Sequence, residues 1–357
     1  MRQVNSSFWV GKKVFLTGHT GFKGSWLSIW LKALRADVVG FSLESAATNP
    51  SLYTVARVNE DVTSLMGDVR DYEALHDAIL AAKPDIVIHM AAQSLVRESY
   101  RAPIESYSTN VMGTVNILEA VRRVGTARAV INVTSDKCYE NQTGEVAFAE
   151  DAAMGGYDPY SSSKGCSELV TTAFRRSYFH DGRVAIASAR AGNVIDGGDW
   201  APDRLVPDVL RAFEKGKSVF IRNPGATRPW QHVLEPLSGY LLLAESLYEH
   251  GALYAEGWNF GPGNQNVRDV RWIVDQMARN WGRGARWTHD ACDHPYEATH
   301  LSLNAAKAAH RLGWKPRWDL LKTLTMISEW HEHWLSGKDP KRKCLDQIMD
   351  YETSEFL

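Results

Sequence analysis

Apolar and polar positions change rhythm partway along the chain. In the first half, short β-rich runs alternate with stretches whose apolar residues recur on a helical period. Strands are predicted at 13–17 (KVFLT), 37–42 (DVVGFS), 63–66, 85–90 (DIVIHM), 128–134 (RAVINVT) and 184–189. Helices are predicted at 25–34, 72–82, 103–123 and 160–179. Strand and helix in alternation require crossover connections, so the fold class is α/β, with a doubly wound, mostly parallel sheet. The second half is less regular. Gly, Pro and Asn punctuate 192–203 and 222–229, and helical patterns recur near 205–215, 237–250, 267–281 and 320–335. The tail, 338–357, runs from basic to acidic and reads as a surface or interface segment.

The turn after the first strand is Thr17-Gly18-His19-Thr20-Gly21-Phe22-Lys23-Gly24. Glycines between a strand and a helix let backbone approach a pyrophosphate, which the helix N-terminus then stabilises. This makes 1–190 a dinucleotide-binding domain of the Rossmann type, with a returning segment near 231–260. The remainder, 191–357, is read as a smaller α/β substrate-binding domain. Asp68 and Val69 close the third strand, where a carboxylate can accept from an adenine amino group. Ala91 and Ala92 close the fourth, leaving room for ribose and nicotinamide. The acidic residue expected at the end of the second strand is replaced by Ser42. His19 and Lys23 add positive character nearby, so the fingerprint alone leaves NAD and NADP both open.

The fifth strand ends on Thr134-Ser135-Asp136-Lys137-Cys138, and Tyr160-Ser-Ser-Ser-Lys164 opens the next helix. Residues four apart share a helix face. An ammonium beside a phenol favours the phenolate, so Lys164 is expected to lower the Tyr160 pKa and make it a base. Ser135 can bond the same substrate hydroxyl. Asp136 and Lys137 form an acid–base pair at a strand end that faces the ligand crevice; a surface ion pair closing a loop is the plain alternative.

Composition narrows the partners. The 357 residues carry a formal net charge of −2, which offers no field for nucleic acid or membrane. Four scattered cysteines make no CxxC pair, and no apolar h-region or membrane-length run is present. These features point to the cytoplasm. Ten of the thirteen tryptophans fall at or after Trp200, which suits a Trp-rich core or interface. His331 and His333 alternate on a helix and so point apart, which argues against metal.

Together these motifs resemble the extended short-chain dehydrogenase/reductase family, in its nucleotide-sugar branch, over nearly the whole chain. The glycine turn, Asp68, Ala91-Ala92, Asn110, Ser135, Tyr160 and Lys164 stand in family order. So do Arg190-Ala-Gly-Asn193, Arg228-Pro-Trp-Gln-His232-Val233 and Leu312-Gly-Trp-Lys-Pro316. The segments TGHTGFKGSWL, VTSDKCYEN and AGNVIDGGDWAPDRLVPD are similar to those of 4,6-dehydratases that act on CDP-glucose. Related dehydratases of dTDP-sugars carry glutamate where this chain has Lys137. The resemblance implies an internal redox cycle with retained NAD, which also favours NAD over NADP. Tyr160 would deprotonate O4, Lys137 would take the C5 proton and Asp136 would donate to the departing 6-hydroxyl, roles the last two residues could exchange or share. It implies Asn193, Arg204 and Arg228 for the nucleotide and diphosphate, Trp200 beside sugar or base, and a homodimer or tetramer. A nucleotide-sugar epimerase, a dehydratase for another nucleoside diphosphate hexose and a non-catalytic dinucleotide sensor are the alternatives. The acid–base pair argues against the epimerase, and Tyr160 with Lys164 against the sensor.

Overall fold

The apolar runs of the first half become parallel strands in the computed structural model. It describes all residues except 45–47, 142–146, 293 and 295–299, together with the backbone but not the side chain at 264. Strands β1 (Lys13–Thr17), β2 (Asp37–Ser42), β3 (Thr63–Met66), β4 (Ile86–His89), β5 (Ala129–Val133) and β6 (Ala185–Ala191) carry Val, Ile, Phe and Ala. β4, β5 and β6 are buried along their whole length, because helices cover both faces. Of the later strands, β7 (Asn193–Ile195), β8 (Val219–Ile221) and β9 (Thr227–His232) precede β10 (Gly257–Phe260). β10 returns to the first sheet, whose order is β10-β6-β5-β4-β1-β2-β3 with every neighbouring pair parallel. β7 and β9 pair with β11 (Val267–Asp269) in a three-stranded sheet, and β8 pairs with β12 (Trp287–His289). This is the doubly wound α/β class that the alternation predicts.

Two sequence expectations change. The long helix over 103–123 is interrupted. Pro103–Tyr107 and Gly113–Val124 are α-helical, and Ser108–Met112 between them is a π-turn. The wider turn lets Asn110 reach across. Its Nδ2 donates to the Gln93 carbonyl at 3.0 Å and to Ser163 Oγ at 2.8 Å, and its Oδ1 accepts from the Gln93 amide at 2.9 Å. The helix carrying Ser163 is thereby tied to the end of β4.

The tail is also more than a surface strip. Pro340–Thr353 forms a helix whose Cys344, Gln347, Ile348 and Tyr351 are buried, the last three lying three, four and seven residues after the first on one face. Tyr351 Oη donates to Glu235 at 2.7 Å. The Arg317 guanidinium donates to the carbonyls of Tyr351, Glu352 and Ser354 at 2.8–2.9 Å. Trp30, Trp258, Trp314 and Trp330 are fully buried in the same core. Arg317→Ala should therefore take a hydrogen bond from each of three carbonyls and cost about 2–4 kcal/mol. Urea unfolding would show this as a lower midpoint with an unchanged slope.

Candidate active site

The glycine turn is held closed by contacts that exclude side chains. A Cβ on Gly24 would lie 2.0 Å from the Gly18 carbonyl oxygen, and one on Gly18 would lie 2.8 Å from the Ala91 nitrogen. Gly18 also has φ +76°, a left-handed conformation that favours glycine. Thr17 Oγ1 accepts from the Met90 and Ala91 amides, each at 3.1 Å. Its own proton then goes to His89 Nδ1 at 2.7 Å. That keeps His89 neutral, and burial lowers its pKa to about 3. The Phe22–Ala33 helix begins at Gly21 with no side-chain cap, so its N-terminal amides remain available to an anion.

Beyond the turn lies a crevice of about 570 Å³. It is lined by Gly18, Gly21, Phe22, Lys23, Gly24, Ser42, Asp68, Val69, Ala91 and Ala92 on one side. Ser135, Asp136, Lys137, Tyr160 and Lys164 line its middle, and Asn193, Trp200, Arg204 and Arg228 its far side. Of the residues expected at a site, only His19 stays outside this crevice. Its ring is buried against Gly40, bonds Ser64 and meets Tyr53 edge-on. Burial lowers its pKa to about 4, so the positive character expected of it is withdrawn. Lys23, by contrast, lines the crevice. Its charge is felt among Lys164, Arg204 and Asp136, and burial followed by those two cations lowers its pKa to about 7. Asp68 accepts from Arg70 Nε at 2.8 Å, and that hydrogen bond holds its carboxyl below the usual range. Ser42 Oγ pairs with Thr20 Oγ1 at 2.7 Å.

Local chain chemistry positions the middle. Asp158 caps the Pro159–Ser177 helix, accepting from the Ser161 amide at 2.9 Å and the Ser161 hydroxyl at 2.6 Å. Pro159 fixes the first turn. The Tyr160 amide donates to Ser99 Oγ at 3.1 Å, and one turn on Lys164 Nζ donates to the Val133 carbonyl at 3.2 Å. Ser135 follows β5 by two residues and donates to Asp136 Oδ1 at 3.0 Å, and its Oγ accepts from the Lys137 amide at 3.2 Å. Asp136 is 3% exposed, and its Oδ2 has no partner among the described residues. Burial raises its pKa, against the pull of Lys137, Arg228 and Lys23. The shift is towards the carboxylic acid form.

The expected drop in the Tyr160 pKa is absent. Burial pushes the phenol up to about 12, and the Ser135 hydroxyl only partly offsets this. Lys164 is itself lowered to about 8 by burial, and its ammonium is spent on the Val133 carbonyl. Desolvation outweighs the lysine here.

The far side is built from arginines on two lobes. Arg204 donates to Asp199 at 3.0 Å and to Ser94 at 2.9 Å. Arg97 and Arg222 meet on Asp203 Oδ1, at 3.1 and 3.2 Å. That clasp between the segment after β4 and the end of β8 carries no sequence signal beyond the charges themselves. Arg228 is buried and donates to the Thr227 carbonyl at 2.9 Å. Trp200 lines the crevice and also packs edge-on against Trp330 and Trp334. His331 and His333 contact different partners, Glu214 and the Asp339 carbonyl. Among the described residues no group of three His, Cys, Asp or Glu side chains could hold a metal.

The profile of the GDP-mannose 4,6 dehydratase family matches residues 15–327. A CDP-glucose 4,6-dehydratase of Salmonella typhimurium is 54% identical over 98% of this chain and 98% of its own. A probable dTDP-glucose 4,6-dehydratase of Sinorhizobium fredii is 25% identical over 89% of this chain and 92% of its own. In three dimensions, a dTDP-glucose 4,6-dehydratase of Streptomyces venezuelae solved with NAD superposes with a TM-score of 0.77. It is 22% identical, over 92% of this chain and 99% of that one. A UDP-glucose 4-epimerase of Thermotoga maritima reaches a TM-score of 0.79 at 21% identity, over 90% and 99%. These two share the fold.

The burial of Lys164 has a measurable sign. Its folded pKa of about 8 lies below the unfolded value near 10.4, so the folded state resists protonation. The penalty is fully present below pH 8 and fades as pH rises towards 10.4. Lys164→Met should therefore gain stability relative to wild type at pH 7, and that advantage should shrink between pH 8 and 10. Denaturant midpoints of both proteins across that range would check it.

Proposed function

The chain belongs to the GDP-mannose 4,6 dehydratase family, and from that premise we propose that it converts CDP-glucose to CDP-4-keto-6-deoxyglucose with NAD as a regenerated cofactor. The enzyme is a hydro-lyase. The observation that carries the reading is the buried Asp136, whose Oδ2 has no partner among the described residues and whose pKa is raised by burial, within the same crevice as Tyr160 and Lys137. Loss of water needs such an acid, whereas epimerisation does not. Residues 1–190 with the returning 231–260 are read as the NAD half, and the rest of 191–357 mainly as the nucleotide-sugar half.

The uncapped N-terminus at Gly21 and the glycine contacts fit a pyrophosphate, and Asp68 fits an adenine amino group. Bound there, NAD supplies a cationic hydride acceptor for C4 that returns the hydride at C6. Positive charge is what buried Tyr160 lacks on its own. Tyr160 takes the O4 proton, with the Ser135 hydroxyl bonded to the same oxygen. The resulting ketone acidifies C5–H, and Lys137 removes that proton. Asp136 protonates the departing 6-hydroxyl, which leaves as water. Arg228, Arg204 and Asn193 hold the diphosphate and nucleotide, with guanidinium groups suited to paired phosphate oxygens.

With NAD and CDP-glucose deuterated at C4, the product should be lighter by one water and keep the deuterium at C6. A mass spectrum with the label lost to solvent, or no dehydration of this sugar nucleotide, would reject the reading. Lys137→Met should lower kcat by about 10²–10⁴-fold and abolish C5–H exchange with deuterated water.

The same reading places the enzyme in deoxysugar biosynthesis and, with four free thiols, in the cytoplasm. It also makes a homodimer. Ile104 is 85% and Leu169 60% exposed on two neighbouring helices, with Met112 and Tyr107 nearby. Such a patch seeks an apolar partner. Light scattering should give twice the 40.0 kDa chain mass, and Ile104→Glu combined with Leu169→Glu should give the monomer.

A further inference from the structure

The crevice runs on past Arg204 to an end formed by the Leu205–Glu214 helix and β8. A nucleotide sugar with its hexose at Tyr160 and its diphosphate at Arg204 and Arg228 must put its nucleoside there, since the glycine turn takes the opposite end. Two residues distinguish this end. Phe220 on β8 lines it with a side chain that leaves the residue 70% exposed, an open aromatic face. Asp208 lies one helical turn after Arg204, its amide bonded to the Arg204 carbonyl at 3.1 Å, so it faces the same crevice. Asp208 Oδ1 accepts from Arg211 Nη1 at 3.2 Å. Its Oδ2 has no hydrogen bond or ion pair among the described residues. The neighbouring carboxylates are engaged, Asp199 by Arg204 and Asp203 by Arg97 and Arg222.

We propose that Asp208 selects the nucleobase: its free carboxylate oxygen accepts the exocyclic amino group of cytosine while the ring lies against Phe220. This rests on the dehydratase reading above and deepens it. Cytosine presents an amino donor where uracil and thymine present a carbonyl oxygen. An ionised carboxylate attracts the first and repels the second, so discrimination comes from repulsion as much as from attraction. Electrostatics agree with the placement. Burial, with Asp203 and Asp199 across the loop, raises the Asp208 pKa to about 6, against the cations Arg211 and Arg222. Selection should then be complete near pH 8 and weaken as pH falls through 6.

Calorimetric titration of the full-length protein with CDP and with UDP tests this without turnover. Wild type should bind CDP at least tenfold more tightly than UDP at pH 8, with the ratio falling several-fold by pH 5.5. Asp208→Asn, which can offer its amide to the uracil carbonyl, should reduce or invert the ratio by tenfold or more. Asp208→Ala should bind the two alike. A ratio unchanged within twofold in both variants, or a wild-type ratio flat with pH, would overturn the assignment. If a variant fails to fold, the wild-type pH series still decides. Failure of the dehydratase reading would look different: CDP would bind selectively through Asp208 while CDP-glucose was not dehydrated.

Discussion

Water is kept from the groups that must exchange protons, and much of the crevice follows from that. Asp136, Tyr160, Lys164 and Lys23 all have burial as the largest influence on their protonation. Each is driven towards its neutral form. A neutral carboxylic acid can donate and a neutral amine can accept, which is what a site for proton shuffling requires. The phenol is the exception, since burial alone holds it in the form that cannot take a proton. Its activation therefore has to come with the bound reactants, which ties proton removal to the presence of both cofactor and sugar.

Groups buried in this way act only if they are held in place, and neighbouring networks hold them. Below the catalytic face, Glu168 accepts from Arg190, Ser188 and Thr134, with Arg190 Nη2 at 2.8 Å and Ser188 at 2.6 Å. Tyr139 extends the network, donating to Asn259 at 2.7 Å. Both members of the Glu168–Arg190 pair are almost fully buried. Such a pair contributes little net energy but fixes one arrangement, because breaking it leaves a naked charge. It pins β5, β6 and the Pro159–Ser177 helix in one register. Ser135 at the end of β5 and Tyr160 at the head of that helix inherit the precision. Asn110 does the same from the other side through its π-turn.

Much of this was legible in the residues. The strands of the first half are short, apolar and bounded by turn residues, so β1, β2 and β3 coincide with their sequence ranges. The glycine turn, Tyr160 and Lys164 declare themselves because their chemistry needs fixed spacing along one element. The direction of a side chain is different information. His19 turns into the sheet because Gly40 leaves space for its ring, and Lys23 turns inward towards Asp136; neither fact has a local signature. The raised Tyr160 pKa has no local signature for the same reason. A YxxxK spacing shows that two groups share a helix face, but how dry that face is depends on the layers packed over it. The C-terminal helix hid behind a charged composition, although Cys344, Gln347, Ile348 and Tyr351 do trace one face.

An internal redox cycle adds a constraint that a simple dehydrogenase lacks: the sugar must stay bound while hydrogen leaves C4 and returns at C6. The two lobes have to remain joined throughout. Arg97 follows β4, Arg222 follows β8, and both close on Asp203, which holds a left-handed backbone with φ +61°. Asp is among the few non-glycine residues that adopt this region readily, and the two ion pairs fix its side chain there. Arg204 repeats the design, joining Asp199 to Ser94. Arg97, Arg204 and Arg222 thus each have a carboxylate in hand before any phosphate arrives. A cationic crevice whose charges are already engaged and aimed can accept a diphosphate without collapsing on itself when empty, and the same carboxylates keep it from gripping arbitrary anions.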